Sequence, residues 1–233
     1  PRNYGNAFLP SIHQGTAVGR AGSPDDARIK NVENSMLSSA QRKSRFDYMQ
    51  SLNALQLGTA GSDDGMESTI KNYELAWRMQ MEAPELTDLK GETEATKKIY
   101  GIGDKATDSF GKQCLLARRM VERGVRYVSV NYSDESNNPR WDQHSNMPKH
   151  AEHALNTDKP VAGLLRDLKA RGLLEDTLVW WGGEFGRTPF SQNKNGRDHN
   201  PRGFTVFLAG GGIKPGISYG ATDEIGGVAV DKR

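Results

Sequence analysis

The chain has 233 residues, enough for one good-sized domain, with 35% hydrophobic residues and a formal net charge of +2. Acidic and basic residues are mixed throughout, without the basic block that a nucleic-acid footprint needs, and no apolar run approaches the ~18 residues that would cross a membrane. The single Cys114 excludes an internal disulfide and a cysteine-rich zinc module.

The chain opens at Pro1 without an initiator Met and stops at Arg233 directly after a strand-like run, so an internal piece of a longer protein is expected. Residues 1–34 are rich in Gly, Pro, Asn and Asp without a period, which predicts a loop or irregular arm. "SMLSSAQRKSRFDYMQSLNALQL" then spaces Met36, Leu37, Phe46, Met49, Leu52 and Leu55 for one helical face. After the breaker "GTAGSDDG", a second helix carries Ile70, Tyr73, Leu75, Trp77 and Met81 and is expected to close at Pro84. Residues 1–89 are therefore read as an irregular arm and a helical insertion, and residues 90–233 as an α/β core segment.

In the core segment, "TDSFGKQCLLARRMVERG" is an amphipathic helix ended by Gly124, and the β-branched run "VRYVSVNY" behind it is expected to be a buried strand. A polar loop, "SDESNNPRWDQHSN", leads to a helix through "VAGLLRDLKARG" that stops at Gly172. "DTLVWWGGE" and "GFTVFLAGGG" read as two further strands. Helix, strand, helix, strand in this order predicts a mostly parallel sheet covered by helices, with ligands beyond the carboxyl ends of the strands.

Residue types suited to metal crowd the loops at those ends. Asp142 and His144 stand two apart in "WDQHSN", so in extended backbone both side chains project to one side and can reach one ion. The plain alternative is an Asp capping the next helix beside a solvated His. His150 and His153 lie one helical turn apart and face either the same cavity or solvent. Glu184 ends an apolar run, where a carboxylate must be paired or coordinate a cation. Arg187 is its structural partner in one reading and, in the other, a planar fork for an anionic substrate oxygen. Asp198 and His199, in "NGRDHNPRG", return on the loop between the last two strands. A mixed Asp, Glu and His set suits zinc, manganese or iron better than magnesium or calcium. The "AGGG" at 209–212 lacks a following helix and reads as a turn; Cys114 reads as a packed small hydrophobe, Trp180 as core and Trp181 as inter-helix packing.

With these residues in view, "KGETEATKKIYG", "SFGKQCLLARRMVERGVRYVSV", "WDQHSN", "DLKARGLLEDTLVWWGGEFGRTPFSQ" and "GRDHNPRGFTVFLAGGGIKPGISYGATDE" resemble the bacterial domain of unknown function 1501 family, across nearly the whole chain and most densely from residue 90. That family is similar to the alkaline-phosphatase superfamily, which includes sulfatases and cofactor-independent phosphoglycerate mutases. The resemblance implies a three-layer sandwich with a mostly parallel sheet, incomplete at both ends of this chain, and a helical insertion. It implies a divalent metal, zinc foremost with manganese, iron, magnesium or calcium as alternatives, held by Asp142, His144, Glu184, Asp198 and His199. Glu184-Phe185-Gly186 matches the superfamily's Asp-His-Gly, but Phe185 cannot replace the imidazole, a departure that bears on a full two-zinc centre; Asp198 is the residue placed to make good the missing ligand. The superfamily's nucleophile falls before this chain starts, so no catalytic residue is assigned. The expected activity is hydrolysis of small anionic phosphate or sulfate monoesters, with Arg187 on the substrate anion. The alternative is a non-catalytic binding or scaffold protein that retains the fold. A twin-arginine export signal is common in the family and implies a periplasmic or extracellular home.

Overall fold

The computed structural model describes residues 5, 7–9, 13, 15–18, 36–60, 64–134 and 139–231. Most of the expected irregular arm falls outside them. The chain divides into two compact units, one comprising Pro1–Arg20 and Asp25–Lys90, the other Ala21–Pro24 and Gly91–Arg233.

Among its described residues, the first unit forms a pair of helices, α1 (Ser39–Ala60) and α2 (Asp64–Thr87). A capping box starts α1: the Ser38 N–H donates to Gln41 Oε1 at 2.9 Å, and the Gln41 N–H returns to Ser38 Oγ at 3.3 Å. The helices meet where Phe46 stacks on Trp77, with ring centroids 5.1 Å apart. Pro84 does not close α2, which continues to Thr87. Proline lacks only its own N–H; its carbonyl still accepts from Asp88 at 3.2 Å, so the last turn persists.

The second unit opens with three helices, α3 (Glu94–Ile99), α4 (Asp108–Glu122) and α5 (Lys149–Ala170). Tyr100, Phe110, Cys114, Leu115, Leu116, Ala117 and Leu168 form their buried core. Gly111 of α4 and Gly163 of α5 let both helices ride against the 99–100 backbone: a Cβ at either would collide with the Tyr100 or Ile99 carbonyl. Gly124 and Gly172 adopt positive φ just past α4 and α5, as the sequence predicts for C-terminal caps. Among the described residues, no helix is long and apolar enough to cross a membrane.

The strands are β1 (Val179–Trp181), β2 (Gly186–Ser191), β3 (Arg197–Asn200), β4 (Phe207–Ala209), β5 (Ala221–Thr222) and β6 (Ala229–Asp231). Helix and strand are mixed, as expected, but among the described residues the strands pair antiparallel as β1–β4, β2–β3 and β5–β6, and no parallel sheet is seen. The one parallel pairing among them is an isolated bridge, Asn146 to Asn195. The expected strand at 125–132 is unpaired and largely exposed, with Tyr127 85% accessible. A β-branched run specifies extended backbone, but a strand needs a neighbour for its N–H and C=O groups, and no described residue supplies one there. Trp180 and Trp181 correct a second expectation: they are 56% and 44% exposed, neither core nor inter-helix packing.

The consequence for the site is topological. β1 and β4 are antiparallel, so the chain leaves β1 and re-enters β4 at the same end, with the β2–β3 hairpin inserted between them. That hairpin brings Arg187 and His199 together.

Candidate metal centre

Two segments build the site. The first is the turn after Pro139. The Asp142 N–H donates to the Pro139 carbonyl at 2.7 Å, and the Gln143 side chain donates to the Arg140 carbonyl, also at 2.7 Å. Gln143 is buried. Its carbonyl accepts from the Arg197 N–H at 3.2 Å, and Met147 N–H reaches the Asn195 carbonyl at 3.1 Å. These two bonds stitch the 142–147 loop onto the β2–β3 turn. Gly196 is needed at the crossing, since a Cβ there would overlap the His144 carbonyl.

The second segment is the hairpin itself. Its register sets Arg187 directly opposite His199 and Gly186 opposite Asn200. Directly paired residues project to one face of the ribbon, so the guanidinium and the imidazole share a side.

The two segments converge on Asp142, His144 and His199, a three-residue group able to hold a metal ion. His144 Nε2 lies 3.0 Å from Asp142 Oδ1, His199 Nε2 lies 2.9 Å from the same oxygen, and the two Nε2 atoms are 3.0 Å apart. Three donors at right angles, each about 2.1 Å from one centre, stand about 3.0 Å from one another, whereas tetrahedral spacing would be about 3.4 Å. The triangle thus has the edge of one face of an octahedron.

The surrounding groups orient the donors. His144 Nδ1 is 2.7 Å from Gln192 Oε1, an acceptor that favours a proton on Nδ1 and so lets Nε2 turn a lone pair to a cation when one is bound. Phe185 packs its ring on that of His199, centroids 4.1 Å apart and planes inclined by 32°. Arg187 Nη2 donates to Asp142 Oδ1 at 2.5 Å and Nη1 to the Arg197 carbonyl at 3.4 Å. Burial raises the Asp142 carboxyl, but hydrogen bonds from Arg187 and His199 and the charges of Arg187 and His144 outweigh it and hold it below the usual carboxylate range. The side chains of Asp142 and His199 are 31% and 41% exposed, so one side of the triangle is open to a ligand.

Of the residues expected at a metal, then, Asp142, His144 and His199 come together, and Asp198 stands beside them. Asp198 Oδ1 is 3.9 Å from His144 Nδ1 but accepts the His199 backbone N–H at 2.8 Å, so that oxygen serves the turn. Glu184 is not brought into the group; it is exposed and forms no ion pair with Arg187, whose charge goes to Asp142. The sequence reading of Glu184 rested on a buried strand, and β1 is not buried among the described residues. Sequence reasoning missed Gln192 and Gly196, which lie in a polar turn where no local pattern distinguishes them from ordinary turn residues.

His150 and His153 are neither solvated nor in the triangle. They wrap Trp141, with His150 Nε2 2.9 Å from the Trp141 carbonyl and His153 Nδ1 3.1 Å from the Tyr132 hydroxyl. They therefore brace the residue preceding Asp142. Burial depresses the pKa of His153; Glu152 opposes this, and His150, Arg140 and Lys149 add to it.

No curated protein and no solved structure matches the chain. Across residues 1–233 it matches the family described as "Protein of unknown function (DUF1501)", and it therefore belongs to that family.

Proposed function

We propose that the chain forms part of a metal-dependent hydrolase of phosphate or sulfate monoesters, with Asp142, His144 and His199 holding a divalent cation. The observation that carries this reading is the triangle of Asp142 Oδ1 and the two Nε2 atoms, with edges of 2.9–3.0 Å. Two imidazoles and one carboxylate on a single face suit zinc, manganese or iron and fit magnesium or calcium poorly. A bound ion would polarise an ester oxygen and stabilise the charge that develops on it.

The chain's own residues supply the rest. Gln192 holds His144 in the ligating tautomer, and Phe185 braces the His199 ring. Arg187 carries a planar fork beside the open side and is proposed to bind the substrate anion. Cys114 is not the nucleophile: it lies in the helical core, and burial pushes its thiol up to about 12. The alkaline-phosphatase-like three-layer sandwich belongs to the same proposal, supported by the resemblance and by the exposed apolar side chains of β1 and β4, which further sheet would cover. The resemblance also supports a periplasmic or extracellular site of action.

A second reading, a binding or scaffold protein, has its own observation. Arg187 and His199 already give Asp142 Oδ1 hydrogen-bond partners, so the carboxylate is satisfied without metal. Elemental analysis of the purified full-length protein, followed by assay on aryl phosphate and aryl sulfate, separates the two. The hydrolase reading expects stoichiometric metal and turnover in the wild type, with both abolished in His199→Ala. Protein free of metal after growth in zinc and manganese would favour the scaffold.

A further inference from the structure

We propose that Arg187 couples the binding of a divalent cation to the binding of an oxyanion, by leaving Asp142 when the triangle fills and clamping the anion across the filled site. This rests on the metal reading above and adds a regulatory property to it. The starting point is the crowding on one atom. Asp142 Oδ1 faces Arg187 Nη2 at 2.5 Å, His199 Nε2 at 2.9 Å and His144 Nε2 at 3.0 Å. The guanidinium is therefore the counter-charge of this carboxylate, at the same oxygen that completes the triangle.

A dication and a guanidinium on one carboxylate oxygen repel each other, strongly so where solvent is partly excluded. The Arg187 side chain is only 18% exposed, so its charge is not dissolved in bulk water. A cation on Oδ1 therefore weakens the hold of Arg187 there and favours its release, but the side chain cannot go far. Its backbone is fixed opposite His199 in the β2–β3 register. Two contacts outlast the loss of Asp142: the Arg197 carbonyl at 3.4 Å from Nη1, and the face of Phe185, with the guanidinium carbon 5.8 Å from the ring centroid. The freed fork stays at the rim of the site with Nη2 unpaired.

A fork with a free N–H edge beside a cation has one complementary ligand, an anion that presents oxygens to both. Phosphate, sulfate and carboxylate share that chemistry, and the planar guanidinium matches two of their oxygens at once. The anion relieves the repulsion between the two positive groups, so each ligand favours the other. The coupling is reciprocal, because it is one free energy shared by two sites.

Wild type, Arg187→Met and Arg187→Lys are titrated as the full chain with Mn2+ and with Zn2+, with and without millimolar inorganic phosphate. Free Mn2+ is read by electron paramagnetic resonance and Zn2+ by competition with a chelating dye. In the wild type, phosphate is expected to tighten metal binding on the order of tenfold. Arg187→Met should bind metal more tightly than wild type in the absence of phosphate, by about tenfold, because the competing charged hydrogen bond is gone, and phosphate should then add little. Arg187→Lys, which keeps the charge without the fork, should retain part of the phosphate effect. Looser metal binding by Arg187→Met would identify a guanidinium that orients Asp142 as a ligand, and would overturn the proposal. An undiminished phosphate effect in Arg187→Met would overturn it too. Failure of the metal reading itself looks different: the wild type takes up neither ion, or His144→Ala binds as the wild type does.

Discussion

Arg118 carries a full charge into the helical core of the second unit, where its side chain is 3% exposed. It is held by Glu92 at 2.8 Å and Glu122 at 2.6 Å, while its Nε lies 2.9 Å from Asp167 Oδ2 at an angle too oblique for a hydrogen bond. Asp167 in turn accepts the Tyr100 hydroxyl at 3.0 Å. Burial, followed by the Asp167 charge and hydrogen bond, pushes the Tyr100 phenol far up, so it stays a donor. Replacing Arg118 with Ala would remove the cation that Glu92 and Asp167 share, leaving Glu92 to Arg119 at 2.6 Å and Asp167 to Arg171 at 2.8 Å. Because each carboxylate keeps one arginine, the expected cost is about 1–3 kcal/mol, read as a lower urea midpoint at unchanged slope. Individual residues were also where the sequence spoke most clearly about chemistry. Asp142 and His144 two apart, and His199 after a Gly/Asn turn, are legible as candidates because ligand types recur in separate loops, although an Asp in a turn also has an ordinary capping use. The expectation for Glu184, which is exposed and outside the group, depends on burial, and burial is a property of neighbours that no single sequence position contains.

At the scale of elements, helices were the readable part, because their period, caps and breakers are local. Gly124 and Gly172 mark the ends of α4 and α5, and Ser38 with Gln41 marks the start of α1. Strand pairing was not readable. The runs now seen as β1 and β4 look alike whether they pair parallel or antiparallel, and the choice is made by long-range partners. In sequence the β2–β3 hairpin looks like a loop because its strands are polar, with Arg187, Thr188, Asp198 and His199 where apolar alternation would normally announce a strand. It is nevertheless the element that assembles the candidate centre, and its contact with the 142–147 loop passes through Gly196. Gly196→Ala should therefore force the loop off the hairpin. The overlap is with backbone, which cannot rotate away, so a loss of about 1–3 kcal/mol is expected. The sharper readout is metal affinity, which should fall at least about tenfold as His144 separates from His199. An unchanged affinity with normal folding would show that the loop and hairpin do not need this crossing.

At the scale of the whole molecule, the two compact units differ in how they are held. The α1–α2 pair rests on the Phe46–Trp77 stack and leaves Tyr48, Leu52 and Leu55 exposed, whereas the second unit has a buried core, an internal ion-pair network and the candidate centre. Stability within one chain is then expected to be uneven, with opening of each unit governed by its own contacts. Metal provides a way to test this, because a ligand stabilises only what must be folded to bind it. At one hundred times its dissociation constant, a cation adds about 2.7 kcal/mol to the structure that carries its site. Hydrogen exchange with and without Zn2+ should therefore slow at the amides of 142–147, β2 and β3. Amides of α1 and α2 should exchange at the same rate in both conditions. Removal of the ion with a chelator should reverse the protection in the second unit alone. Equal slowing in both units would mean that they open together, and that the centre reports on the entire chain; slowing in neither would remove the centre as a binding site.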